Sequence, residues 1–188
     1  MVKNSGKLDL TSLPLILSSD AKFGRQQFID AGIPFYKTVY TENDPCRARL
    51  SVNPYPFEPA VNYAYDGSGN VIPLALQING SRQQSDKGIA VGTYGIASFR
   101  VDGRIFSELE VYAGVHYCND FDGEVTFAIW CYETTSPLMA RKSVSRKQDA
   151  LHFKIALPAE CRTISLLSSG GNGKSSAIWF DPQLSYRQ

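Results

Sequence analysis

From residue 71 onward the chain alternates, and that alternation limits it to one class of fold. Across 105–117, Leu109, Val111, Ala113 and Val115 share one side, while Glu108, Glu110, Tyr112 and His116 share the other. Successive side chains of a strand point to opposite faces, so a period of two marks a half-buried strand. Residues 124–132 repeat the device, with Val125, Phe127, Ile129 and Cys131 turned inward. Between them, Asn119-Asp120-Phe121-Asp122-Gly123 reads as a hairpin-type connection. Further strand-like runs occupy 71–78, ending at Asn79-Gly80, and 94–101, ending at Asp102-Gly103. Others follow at 151–157, 163–167 and 177–186. Good helix formers never gather into a long amphipathic run. Short strands punctuated by Gly, Asn and Asp turns predict an all-β chain folded as a β-sandwich.

Residues 1–70 have a different texture and read as an irregular, loop-rich N-terminal part. An apolar stretch at 13–17 is broken by Pro14, and a polar turn follows around 25–30. Asn43-Asp44-Pro45, Asn53-Pro54-Tyr55-Pro56 and Glu58-Pro59 come next. Repeated X-Pro steps disfavour both helix and central strand. This excursion carries Tyr55, Phe57, Tyr63 and Tyr65, and long loops on compact domains are often functional. A length of 188 residues suits one sandwich domain over 1–188, with 71–188 as its regular part.

Charge and motif content remove several function classes. A formal net charge of +1 gives no global drive toward nucleic acid or an anionic membrane. The densest basic stretch, Arg141, Lys142, Arg146 and Lys147, reads as a solvated loop. No run approaches the roughly 18 apolar residues of a membrane span. No signal-peptide core is legible either, so the expected location is the cytoplasm, a virion, or the exterior by a route not visible in this chain. Cys46, Cys118, Cys131 and Cys161 are too widely spaced for a structural zinc site. The expectation for Cys131 and Cys161 is buried free thiols, with a disulfide as the open alternative. No GxSxG elbow accompanies His116 or His152, which argues against a hydrolase. Gly171-Asn172-Gly173-Lys174-Ser175 lacks the first glycine of a phosphate loop and precedes a strand rather than a helix, so nucleotide binding is rejected.

The strand half also carries an ordered series of short motifs. They run Ile78-Asn79-Gly80, Lys87-Gly88-Ile89-Ala90, the turn Asp102-Gly103, and Val111-Tyr112-Ala113-Gly114-Val115. After the acidic turn come Val125-Thr126-Phe127-Ala128-Ile129-Trp130, Leu166-Leu167, Gly171-Asn172-Gly173 and Ala177-Ile178-Trp179-Phe180-Asp181. In order and spacing, residues 78–186 resemble the novel carbohydrate-binding module family. The resemblance implies a jelly-roll-like β-sandwich of the galactose-binding-domain type. It also implies a non-catalytic role in glycan binding, since some members sit beside glycosidase domains and bind galactose-type sugars. Departures bear on recognition. Val91, Gly92 and Thr93 stand where members often carry Thr-His-Ala, and Ser169 stands for an Asp. Ser175-Ser176-Ala177-Ile178-Trp179 replaces a more acidic run. Sugars are held by directional hydrogen bonds and an aromatic face under their C–H patch, and several such polar groups are missing here.

Candidate ligand-binding residues follow from these readings. Trp179 matches the family tryptophan and is either a sugar platform or a core residue; Gly171 and Asn172 belong to the small-residue loop beside it. Tyr94 would add an aromatic face, and Asn119 and Asp120 hydrogen bonds. These residues fall on three connections, 91–94, 119–123 and 170–176, expected to meet at one end of a sandwich. Trp130 and Tyr132 lie opposite Phe127 and Ile129, facing a partner or packing under the N-terminal excursion. Trp130→Ala is accordingly expected to cost less stability than Trp179→Ala. Asp120, Asp122 and Glu124 read as a solvated turn, with a structural calcium held partly by backbone carbonyls as the alternative. No other cofactor is implied. The expected partner is a glycan, without nucleic-acid binding or membrane insertion. The alternative is a structural protein of an assembly, such as a virion capsid, fibre or tail component, using the fold for contacts with other protein subunits.

Overall fold

The structure, a computed structural model, describes residues 6–16, 59–65, 71–92, 95–117, 123–145, 148–170 and 176–188. The chain enters through β1 (Lys7–Asp9), a 3-10 turn at Leu10–Ser12 and β2 (Leu15–Ile16). Short strands follow: β3 (Ala60–Val61), β4 (Ala64–Tyr65) and β5 (Val71–Ile72). The hairpin β6 (Leu74–Ile78) and β7 (Ser81–Ser85) leads to β8 (Gly88–Gly92) and β9 (Gly95–Arg100). Long strands complete the fold: β10 (Phe106–Val115), β11 (Glu124–Cys131), β12 (Leu138–Ser145), β13 (Leu151–Ala156), β14 (Thr163–Gly170) and β15 (Ser176–Tyr186).

Two antiparallel sheets carry the architecture. The first runs β13-β10-β15-β8-β3 with β1 also on β15, and the second runs β12-β11-β14-β9-β2. Strand β15 serves two neighbours on one edge. Its first half pairs with β8, Trp179 opposite Ile89, and its second half pairs with β1, Leu184 opposite Leu8. Asp181, at φ 50°, sits at the changeover. The all-β sandwich expected from the alternation is therefore present. Most of 1–70 lies outside the described residues, and its described part adds short strands to the sandwich. β1 and β2 join opposite sheets, and β3 extends the first. Two- and three-residue strands are too short to show a period of two, so their pairing is decided by the edges they meet.

The inner faces bury one core. Leu109, Val111, Phe153, Ile89, Trp179 and Leu184 from the first sheet meet Phe127, Ile129, Ile164, Leu166 and Phe99 from the second. A second cluster lies on the outer face of the first sheet. There Leu74 and Leu76 of the hairpin pack with Ala90, Ile178 and Phe180. The hairpin turn is Asn79-Gly80, with φ of 52° and 73°, the left-handed pair that a two-residue turn requires. Gly88 permits the next step, since a Cβ there would press on the Trp179 carbonyl oxygen and on Leu74. Its glycine brings β8 close to both β15 and the hairpin. Among the described residues, no helix is long and apolar enough to cross a membrane.

One end of the sandwich is stapled shut. The Arg187 guanidinium donates to the carbonyls of Gly103 (3.0 and 2.8 Å), Leu157 (2.8 Å) and Phe106 (3.4 Å). It thereby ties the C-terminal residues to the connections after β9 and β13. Beside it, Cys131 and Cys161 form a disulfide, with Cα atoms 5.5 Å apart. This corrects the expectation of free thiols. Cys131 ends β11 and Cys161 precedes β14, and these strands are hydrogen-bonded neighbours with Cys131 opposite Ile164. Strand pairing that no local pattern encodes brought the two sulfurs together. Cys46 and Cys118 lie outside the described residues.

Candidate ligand-binding end of the sandwich

The other end gathers four connections: β8 to β9, β10 to β11, β12 to β13 and β14 to β15. Register fixes this. Ser176 lies opposite Gly92, Ala177 opposite Val115, Gly170 opposite Val125, Ser168 opposite Gly95 and Ser145 opposite Glu124. Hydrogen bonds across the strand ends hold them. The His116 backbone N–H donates to the Ser176 carbonyl (2.9 Å), and the Ser168 hydroxyl donates to the Gly92 carbonyl (2.8 Å). The flanks of all three connections singled out from sequence thus share one end. Of the residues named on them, Tyr94, Asn119, Asp120, Gly171 and Asn172 lie outside the described residues. Asp122 of the proposed calcium turn does too. Among the described residues, no group of three metal-ligating side chains occurs.

Trp179 is a correction. Its side chain is 0% exposed, packed between Phe127 of the opposite sheet and Phe153 of its own. Neither ring face is open to a sugar. The alternation along β15 puts Ala177 and Trp179 inward and Ile178 and Phe180 outward, which decides the matter. Trp130 is also buried, 3% exposed, although it lies on the outward face with Ala128 and Leu167. The ring of Tyr132 is tilted beside it, centroids 6.5 Å apart.

Two described residues at this end were missed by sequence reasoning. Tyr117 follows β10 and stays 42% exposed. Its backbone N–H donates to the Ala75 carbonyl of β6 (2.8 Å), which seats it against the hairpin. From β7, the Arg82 guanidinium lies over the Tyr117 ring, 5.4 Å from its centroid. Nothing in the local sequence flags this pair, because a docked hairpin separated from β10 by twenty intervening positions, 86–105, creates it. The neighbouring His116 is 1% exposed and its Nε2 lies 2.8 Å from the Pro73 carbonyl oxygen. A carbonyl only accepts, so Nε2 carries the proton. Burial pushes this imidazole below the ordinary histidine value; the Pro73 hydrogen bond opposes the shift and the Arg82 charge adds to it.

The sign of the consequence is fixed. With a folded pKa below the unfolded one, the unfolded chain binds the extra proton first as pH falls. Stability from this group is present above about pH 6.5 and declines below it. Urea midpoints measured between about pH 7.5 and about pH 5 should fall, and the fall should be shallower in His116→Gln. An equal slope in both proteins would remove His116 from the account.

A second polar surface covers the exposed outer face of the first sheet. The Lys7 ammonium donates to Glu110 (2.6 Å), His152 Nε2 lies 3.0 Å from the same carboxylate, and the His152 ring stacks on Tyr112 at 4.5 Å and 13°. The hydrogen bond from Lys7, helped by His152, holds Glu110 below the usual carboxylate range.

The fold has clear relatives among solved structures. The CBM51 module of the Clostridium perfringens family 95 glycoside hydrolase, in complex with methyl-galactose, aligns over 96% of this chain and 100% of its own, at TM-score 0.63 and 16% identity. The tandem CBM51 modules of Sp3GH98, the family 98 glycoside hydrolase of Streptococcus pneumoniae SP3-BS71, align over 97% of this chain and 47% of theirs, at TM-score 0.59 and 12% identity. The CBM51-2 and INT domains of Clostridium perfringens ZmpB, in complex with GlcNAc, align over 67% of this chain and 27% of theirs, at TM-score 0.55 and 17% identity. No protein-family model and no curated protein matches the chain. The galactose-binding-like sandwich implied by the motif series is thus met at the level of fold.

Proposed function

We propose that this chain is a non-catalytic glycan-binding module that reads its ligand at the end of the sandwich opposite the disulfide. One observation carries the reading: the alignment with the galactose-complexed CBM51 module extends over nearly the whole of both chains. The division of the molecule supports it. One end is tied by Arg187 and a disulfide, and the other collects four connections, the usual place for recognition on a rigid scaffold. In this reading Asn119, Asp120 and Asn172 supply hydrogen bonds, Tyr94 an aromatic face, and Gly171 close backbone approach, with residues 1–188 acting as one domain. A buried disulfide fits work outside the reducing cytosol, where glycans are displayed. The assembly alternative, a virion capsid, fibre or tail component, gains nothing from these likenesses.

A shallow site with a few hydrogen bonds should bind weakly, with a dissociation constant of about 0.1–1 mM, and useful attachment would come from several copies. The test is titration of the 188-residue chain with lactose and N-acetyllactosamine, followed by backbone amide shifts. The expected result is saturable shifts at the strand ends around Gly92, Val115, Gly170 and Ser176. No shift with either sugar at about ten times the expected constant would overturn the reading.

A further inference from the structure

We propose that Arg82, held over the ring of Tyr117, makes this end of the sandwich an acceptor for the anionic group of an acidic glycan. The group would be a carboxylate or a sulfate carried on the sugar. The inference rests on the glycan-binding reading above and narrows its ligand class.

The position comes from two docked elements. Leu74 and Leu76 anchor the hairpin on the first sheet, and the Tyr117 N–H bond to Ala75 locks the end of β10 against it. Arg82 pairs with Gln77 on that hairpin, and Tyr117, two residues past the end of β10, is tied to the same hairpin through its backbone N–H. Both side chains remain open to solvent.

The electrostatic setting separates Arg82 from most of the described cations. Among the described residues Lys142 shares it, lying 5.4 Å from the centroid of the Phe153 ring without an ion-pair partner, but that ring is buried whereas Tyr117 is open to solvent. Lys7 faces Glu110, Lys87 faces Asp9, Arg104 and Arg162 face Asp102, and Lys154 faces Glu108. Arg187 spends its donors on backbone carbonyls. Among the described residues, Arg82 has no carboxylate within ion-pair distance, and an aromatic ring takes that place. A ring face suits a guanidinium, which is flat and weakly hydrated, and contact with the ring does not consume N–H donors. The ring restrains the guanidinium, so less side-chain freedom is left to lose on binding. Two coplanar oxygens of a carboxylate or sulfate match that fork bidentately. The Tyr117 hydroxyl and the exposed part of its ring offer a hydrogen bond and an apolar surface to the sugar that bears the anion. The Arg82 charge already reaches His116, where it opposes protonation.

The test compares lactose, sialyl-lactose and 3-O-sulfated lactose in calorimetric titration of the whole chain at about 50 and about 300 mM salt. The expected result is that at least one anionic sugar binds about tenfold more tightly than lactose at low salt, with the ratio shrinking at high salt. Arg82→Gln should bring the ratio close to one, and Arg82→Lys should recover only part of it, because an ammonium keeps the charge without the fork. Thermal midpoints of these exposed-site variants within about 2 °C of the parent would confirm intact folding. Equal affinity for lactose and both anionic sugars overturns the proposal and leaves the glycan-binding reading standing. A preference that survives Arg82→Gln also overturns it. Absence of binding by all three sugars removes both.

Discussion

Replacing Trp179 with alanine is expected to lower stability by about 3–5 kcal/mol, the range for truncating a fully buried aromatic. In a chain of this size that corresponds to a drop in thermal midpoint on the order of 10 °C. The ring lies edge-on to Phe127, centroids 5.2 Å apart at 82°, and tilted against Phe153 at 5.9 Å. Removing it opens a cavity where both sheets meet, and close-packed interiors collapse only in part. Among the described residues the indole Nε1 has no hydrogen-bond partner, so Trp179→Phe keeps most of the packing and removes an unpaired donor. That variant should cost well under half as much as alanine. Trp130→Ala should also destabilise, since Trp130 is only 3% exposed and its ring packs on the outer face. The loss should be smaller than for Trp179, because the neighbours are the smaller cluster of Ala128 and Leu167. Urea midpoints for the three variants give the order directly. Equal losses for Trp179→Ala and Trp130→Ala would show that the outer-face cluster matters as much as the core between the sheets.

The double variant Cys131→Ala/Cys161→Ala is expected to lose about 3–4 kcal/mol, the chain-entropy value for a closed loop of 30 residues. Both sulfurs are buried, so reductant should act slowly on the folded protein and quickly once denaturant opens it. Refolding under reducing conditions should therefore give a lower midpoint than refolding oxidised protein, while the double variant responds to reductant much less. Peptide mapping without reduction should recover the two segments as one linked species. An oxidised parent no more stable than the double variant would mean that the bond adds nothing to the fold. The neighbouring Arg187 fork makes the point sharper. Without the disulfide this end is still tied through Gly103, Phe106 and Leu157, so a measured loss belongs to the covalent link.

The alternation in 105–117 and 124–132 was enough to state the fold class and to separate most inward from outward residues. Leu109, Val111, Phe127 and Ile129 lie in the core as expected. The same rule, followed through Ala177, Trp179 and Ile178, buries Trp179, so a strict reading of the period of two would have withdrawn it as a sugar platform. A motif match pulled it the other way. For Trp130 the pattern assigned the outward face but could not say what covers it, because an outward face is solvent-exposed only when nothing packs on it. The turn at Asn79-Gly80 was legible because left-handed backbone selects its residues locally, whereas the close approach at Gly103 is to Pro158, far along the chain.

What this sequence determined by itself is whatever depends on neighbours within a few positions: the alternating strands, their inner faces and the turns between them, though not β12, whose Arg141 and Lys142 read as a solvated loop. Tertiary structure alone decided the rest. The Cys131–Cys161 bond exists because β11 and β14 are adjacent, and β1 and β2 belong to opposite sheets because edges elsewhere in the chain receive them. The Arg82–Tyr117 stack needs a hairpin folded back over the first sheet. The physical reason is common to all three. Local pattern reports which way a side chain points, whereas contacts between distant strands depend on which sheet order buries the most apolar surface over the whole chain.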